Sequence, residues 1–469
     1  MGGATAGGQL IVLVALPILT RLYSPKEFGA SAAFVAVVGL ITVVAALRYE
    51  IAIPLPRRDR AAFQLLFLAL VIVTAVAVLS GLGWLVAGRW FDVNTGLSSE
   101  CFAALVAIGV FTAGVYQVLS YWLTRRSKFG AVALTRIQQG VAGNGTQIGF
   151  GLAGAGVIGL IVGQIVGQCA GILRLAAETL ADYRRSGAYI RPQGVKWAAK
   201  RYRHFALFDT WAALLNVAGT QAPVLLFALF SPVLAGYYAL AYRVLSAPIG
   251  LIGKAISNPL LPRLVEARRD GNAAALVKML LGILAMLALP PFAIAAAVAP
   301  DIVPIIFGRE WAPAVIVIVW TATWVGWQFI TSPLSVALIA LEGQRLNAVL
   351  QLALVVVRIS ALLGGAAAGS TDLALAGFSI SSAIGYAVYT VATGKAVGLP
   401  MVDMLGAVYK PLLMAAVGLG VAFALPADMV LVRYSVVLCL MICWLIACWT
   451  GVRGGLFDRR SASATSPPH

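Results

Sequence analysis

The chain has 469 residues, of which 61% are hydrophobic and 11% charged, against roughly a quarter charged in soluble domains, so a water-soluble fold is excluded. Its net charge of +17 needs no nucleic-acid partner, because loops facing the anionic lipids of a cytoplasmic leaflet collect Lys and Arg by themselves. The apolar residues arrive in runs longer than the roughly 18 that cross a hydrocarbon core, and stretches such as Leu65 to Leu79 do not alternate as barrel strands would. The reading is an all-α polytopic membrane protein.

In chain order the runs predict fourteen transmembrane helices. They lie near residues 4–20, 30–53, 63–87, 100–123, 131–152, 157–177, 208–230, 234–257, 276–299, 313–340, 347–367, 373–393, 408–425 and 430–450. Twelve is the competing count. Residues 4–20 lack a basic leader and a small-residue cleavage site, so they read as a retained helix and not a signal peptide. With the amino terminus in the cytoplasm, 25 of the 34 Lys and Arg fall on cytoplasmic connections, five on the opposite side and four inside spans. That bias predicts both ends inside.

The most polar stretch, Glu178 to Arg203, separates six spans from eight. The two parts echo each other. Tyr23-Ser24-Pro25-Lys26-Glu27-Phe28-Gly29 follows span one, and Phe230-Ser231-Pro232-Val233-Leu234-Ala235-Gly236 follows span seven. Lys128-Phe129-Gly130-Ala131-Val132 and Arg345-Leu346-Asn347-Ala348-Val349 open spans five and eleven. Repeats in register predict two pseudo-symmetric six-helix lobes, 1–190 and 191–395. Two accessory helices at 396–452 and a cytoplasmic disordered tail at 453–469 complete the division.

Charges inside an apolar helix cost about 2.5–3.5 kcal/mol on insertion scales, so they should face a cavity or a partner. Arg243 and Arg358, each mid-span, are read that way, whereas Arg48 and Lys254 lie near span ends where snorkelling is an equal reading. Glu50 and Asp209 are the acids nearest the bilayer. Local pairing, of Glu50 with Arg48 or Arg57 for example, is the simpler reading, and coupling to a proton or sodium ion the alternative. Span six carries Gly159, Gly163, Gly167 and Gly171 on one stripe, which predicts a close helix contact. Asn144, Gln147, Gln164 and Gln168 either line a polar cavity that accepts sugar hydroxyls or bond between helices. Tyr237, Tyr238, Tyr242 and Arg243 join aromatic faces to a cation, which suits sugar and phosphate, although interfacial tyrosine accounts for the first two. Cys101, Cys169, Cys439, Cys443, Cys448, His204 and His469 make no metal spacing, no cofactor is called for, and no polar loop carries a catalytic constellation.

Leu19-Thr20-Arg21-Leu22-Tyr23-Ser24-Pro25-Lys26-Glu27-Phe28-Gly29, then Leu47-Arg48-Tyr49-Glu50-Ile51-Ala52-Ile53-Pro54-Leu55-Pro56, resembles the bacterial polysaccharide-biosynthesis flippases of the O-antigen and exopolysaccharide type. These belong to the superfamily of multidrug and oligosaccharidyl-lipid exporters. Gly236-Tyr237-Tyr238-Ala239-Leu240-Ala241-Tyr242-Arg243, running on to Asn258-Pro259 and Pro262, looks like the second-lobe counterpart. The resemblance implies a V-shaped transporter that moves a polyprenyl-diphosphate-linked oligosaccharide across the inner membrane by alternating access. Arg48, Arg243, Lys254 and Arg358 are then candidates to hold the diphosphate, with Arg21 at the outer mouth. A polysaccharide polymerase and chain-length machinery are implied partners. A cation-coupled drug extruder and a non-transporting scaffold of polysaccharide assembly are the competing readings.

Overall fold

Where the helices start follows from local chemistry. At Ser24 the side chain accepts from the Glu27 backbone N–H while the Glu27 carboxylate accepts from the Ser24 N–H. Pro25 supplies the preset first-turn φ, so a helix begins here and nowhere nearby. Ser98 caps the helix at Ser99 in the same way, through the Cys101 N–H.

The structure, a computed structural model, describes residues 2–88, 96–187, 189–424 and 429–457. The chain runs through α1 (Gly2–Leu22), α2 (Pro25–Ala45), α3 (Tyr49–Ala52), α4 (Asp59–Ala87), α5 (Ser99–Arg125), α6 (Phe129–Leu152) and α7 (Val157–Ser186). The short α8 (Pro192–Arg201) and a π-helical turn (Phe205–Asp209) lead to α9 (Thr210–Phe230), α10 (Pro232–Arg269) and α11 (Ala273–Phe307). After a 3-10 turn (Arg309–Trp311) come α12 (Ala314–Leu334), α13 (Val336–Ala340), α14 (Gln344–Ala367), α15 (Thr371–Ala396), α16 (Met401–Ala424) and α17 (Val430–Phe457). The protein is all-α, and each of the fourteen expected intervals falls on helix. Among the described residues ten helices are long and apolar enough to cross a membrane, and Gly7–Leu22 and Leu431–Ile446 are shorter apolar stretches.

Two intervals need correction. The span expected at 30–53 stops at Ala45, because Leu47 and Arg48 take left-handed backbone conformations (φ 46° and 61°), and α3 restarts the chain. The span expected at 313–340 is likewise divided into α12 and α13 at Ser335, two residues after Pro333. The tail from 458 on lies outside the described residues.

Two compact units divide the chain. The first holds residues 1–247, 306–314 and 362–373. Its core runs between α2, α4, α5 and α7, where Phe63 lies 4.0 Å from the Trp122 ring and Phe34 meets Phe102 edge-on at 5.9 Å. The glycine stripe of α7 is the expected contact face. A Cβ at Gly163 would meet the Gly143 carbonyl of α6, one at Gly167 the Gln139 carbonyl, and one at Gly171 the Tyr116 ring of α5. In the same unit the two echoed Ser-Pro segments meet. A Cβ at Gly29 would overlap the Pro232 carbonyl and one at Gly236 the Pro25 carbonyl, so the first turns of α2 and α10 cross reciprocally at glycine. From there α9 lies along α2, with Gln221 over Gly39.

The second unit holds residues 248–305, 315–361 and 374–469. Trp324 packs edge-on against Phe378 and stacks on Tyr386. Thr331 and Thr390 share a buried hydrogen bond of 2.9 Å between α12 and α15. The last two helices are tied to α11. Arg433 on α17 pairs with Asp301 at 3.0 Å, Trp444 donates to the Met286 carbonyl, and a Cβ on Gly418 of α16 would press on Ala293.

Candidate functional site

A hollow in the first unit lies between α2, α5 and α7, with a volume of about 190 Å³. Gly39 and Gly109 are places of close approach in its wall, where a Cβ would press on Gln221 of α9 and on Phe34 and Val38 of α2, respectively. Its wall is mostly apolar, with Thr42, Thr112, Gln164 and Gln168 as the polar points. Gln168 Oε1 accepts from Gln139 Nε2 at 3.0 Å, which orients the amide, and Thr112 donates to the Ile108 carbonyl. The Thr42 hydroxyl is buried with no partner among the described residues. A shaped apolar pocket with a few fixed polar groups is the ordinary form of a small-ligand site.

Gln164 and Gln168 therefore line one cavity. Asn144 and Gln147 are placed otherwise. Asn144 Nδ2 donates to the Gly140 carbonyl and Gln147 Nε2 to the Leu160 carbonyl, so both amides are engaged with backbone where α6 meets α7. The Tyr23 hydroxyl closes that corner on the Gln147 carbonyl at 2.6 Å.

The basic candidates occupy different settings. Arg358 is 4% exposed on α14, in the second unit. Arg243 is half-buried on α10, directly after Tyr242, whose ring stacks parallel to Tyr238 at 6.0 Å. Arg48 caps α3 with its side chain 22% exposed and lies 3.8 Å from the Glu50 carboxylate. Arg21, in the last turn of α1, is exposed. Lys254 falls within α10, and its side chain lies outside the described residues. Of the two acids, Glu50 is buried and accepts from Gln117 Nε2 at 3.0 Å, while Asp209 is exposed on the π-turn.

Other residues were not visible as candidates. Gln117, Gln139 and Thr42 are isolated polar residues in apolar runs, and only the position of a neighbour on another helix distinguishes them from satisfied helix-surface groups. An ionic cluster joins the starts of α4 and α6 to the ends of α5 and α7. Lys128 bonds Glu178 at 2.8 Å and Asp182 at 3.2 Å, Arg126 bridges Asp182 and Asp59, Arg125 also holds Asp59, and Trp122 donates to Asp182. The hydrogen bond to Glu178, with Asp182 adding to it against a smaller effect of burial, raises the Lys128 ammonium above its ordinary pKa. Among the described residues no group of His, Cys, Asp and Glu could hold a metal ion.

A family profile described as polysaccharide biosynthesis protein matches residues 18–316. No curated protein matches the chain in sequence. Among solved structures, the lipid II flippase MurJ in an inward closed conformation is similar with a TM-score of 0.72, over 96% of this chain and 98% of that one, at 13% identity. An inward-facing multidrug resistance MATE family transporter of the MOP superfamily matches with a TM-score of 0.55, over 87% and 96% of the two chains, at 14% identity. A Vibrio cholerae MATE transporter, VcmN, matches with 0.52, over 85% and 94%, at 15% identity. At these identities the likeness is one of fold.

Proposed function

The chain belongs to the polysaccharide biosynthesis protein family, and from that premise we propose that it is a flippase turning a polyprenyl-diphosphate-linked oligosaccharide from the cytoplasmic to the periplasmic leaflet. The glycan would feed O-antigen, capsule or exopolysaccharide synthesis, in the bacterial inner membrane, with both termini in the cytoplasm. The repeat halves 1–190 and 191–395 would rock about the cargo by alternating access, with 396–452 as accessory helices. A periplasm-side polymerase and its chain-length machinery would consume the product.

One observation carries the reading: α14, an apolar helix long enough to span a bilayer, keeps Arg358 out of solvent. Arg358 is engaged within the protein, and its guanidinium carries five donors, so a diphosphate reaching α14 would gain charge-assisted bonds there. Arg243, the residue after Tyr242 on α10, supplies the same charge, and the half-buried Tyr242 offers an aromatic group next to it in sequence. Gln164 and Gln168 offer amides to hydroxyls in the first unit's hollow. The polyprenyl tail needs no pocket, because lipid solvates it.

The MATE-like fold favours a cation-coupled extruder as the second reading. Its cationic cargo would call for acids in the spans, whereas the mid-helix charges of α10 and α14 are the basic Arg243, Lys254 and Arg358, and Asp301 of α11 is already paired with Arg433. Deleting the gene and restoring it with Arg243→Ala or Arg358→Ala separates the readings. Both variants should accumulate in the membrane and fail to restore surface polysaccharide. Full restoration by both would remove the site assignment, and unchanged polysaccharide in the deletion would remove the function.

A further inference from the structure

The Arg48-Tyr49-Glu50 segment is built in a way that packing alone does not require. Two consecutive residues other than glycine, Leu47 and Arg48, hold left-handed backbone, a conformation that L side chains resist. The bend they make delivers Glu50 into the interior, where it is 1% exposed. Its Oε1 accepts from Gln117 Nε2 at 3.0 Å, and the Arg48 guanidinium stands at 3.8 Å, beyond hydrogen-bond reach. Its Oε2 is buried with no hydrogen-bond partner among the described residues. An ionised carboxylate left with a bare oxygen away from water is disfavoured, and adding a proton removes the charge that burial penalises.

Apart from the Arg48 guanidinium, the charged and titratable groups around α3 are engaged elsewhere. On α5, Tyr121 is neutral and Arg125 is held by the Pro54 and Pro56 carbonyls and by Asp59. On α4, Asp59 belongs to the ionic cluster and Arg60 lies over the Tyr189 ring. On the π-turn, Asp209 is exposed.

The same segment contributes to the seat of α8, a helix of the basic linker that packs chiefly on α4. Tyr49 Oη donates to the Ala199 carbonyl at 3.0 Å, Ala198 is fully buried, and Gln64 Nε2 reaches the Tyr189 carbonyl at 3.1 Å. The π-turn that follows α8 also touches α3 and opens into α9, which lies along α2. A closed mechanical circuit results: α2, the left-handed bend, α3, α8, the π-turn, α9, and α2 again. Such a π-turn is a common place for a helix to shift register.

We propose that Glu50 is a proton-binding site, and that occupancy of this site by a proton sets whether α8 is seated on α3. The protonated acid stays in its buried place and Tyr49 holds α8. Loss of the proton leaves a carboxylate that seeks water or the Arg48 guanidinium, the strained bend relaxes, and Tyr49 leaves Ala199. The inference does not depend on the nature of the cargo, and its test contains no transport measurement.

Full-length protein in lipid nanodiscs gives two readouts. Infrared difference spectra across a pH titration should show the carbonyl stretch of a protonated carboxylic acid that is missing from Glu50→Gln. Hydrogen exchange of the α8 amides, 192–201, corrected for the intrinsic pH dependence of exchange, should lose protection as pH rises. That loss should be about tenfold for each unit by which seating shifts the proton affinity. Glu50→Gln should stay protected at every pH. Tyr49→Phe should be unprotected at every pH while keeping the infrared band, so the two parts of the device are read separately even if one variant is poorly folded. A wild-type protein without the band, or α8 protection with the same pH profile in wild type and Glu50→Gln, overturns the proposal.

Discussion

Arg433 shows how a single residue is kept in an apolar interior. It is 1% exposed, and Asp301 answers it from α11 at 3.0 Å. Removing one member of a buried pair strands the other, which typically costs about 3–5 kcal/mol. Asp301→Ala should therefore lower the thermal midpoint of the detergent-solubilised protein sharply, and the double variant Asp301→Ala/Arg433→Leu should recover most of the loss. The Lys128 cluster behaves differently, because Lys128 and Glu178 are part-exposed and screened by water, while the buried Asp182 keeps Arg126 and Trp122 if Lys128 is lost. With the ammonium raised above its ordinary pKa, its contribution is complete below about pH 10.4 and fades as pH climbs through the raised value. Lys128→Met should remove that alkaline dependence and leave the protein at neutral pH only as stable as the wild type is at high pH. At this scale the sequence was readable where position alone decides. Arg358 stands about ten residues from either end of its span, and the structure buries it. Arg433 counts in the sequence only as one of the five basic residues on the non-cytoplasmic side, since its partner lies 132 positions away and nothing local announces it.

The helices themselves were legible because composition and caps are local. Ser-Pro with a glutamate three residues past the serine starts α2, and the four-residue glycine period of α7 marks its contact face. The break between α2 and α3 was not legible, because neither Leu47 nor Arg48 is a residue that favours left-handed backbone. Tertiary contacts of Tyr49 and Glu50 impose it. The echoed Ser-Pro segments gain a physical meaning in the crossing of α2 and α10. Gly29→Ala or Gly236→Ala would drive a methyl group into a backbone carbonyl that has no rotamer with which to yield. Each should cost more than the roughly 1–3 kcal/mol of ordinary overpacking and be visible as reduced accumulation in the membrane. Gly145→Ala, where a Cβ would meet nothing within 4 Å, is the matched control and should accumulate normally.

For the whole molecule, the apolar composition fixed the solvent and the family profile fixed the lineage, but neither reports the cargo. The cargo reading rests on cations held inside spanning helices, and those cations were found from the sequence by their distance from span ends. The hollow beside α2 was only half legible: Gln164 and Gln168 were picked out, while Thr42 and Gln139 emerged from the packing of α2 and α6 around them. The most direct test is reconstitution of the purified protein into vesicles holding a labelled polyprenyl-diphosphate oligosaccharide, with an impermeant lectin outside to report sugar that has changed leaflet. The wild-type protein should expose the protected pool and Arg358→Ala should not, although it is equally folded and incorporated. Equal exposure by the variant, or none by the wild type, would contradict the account.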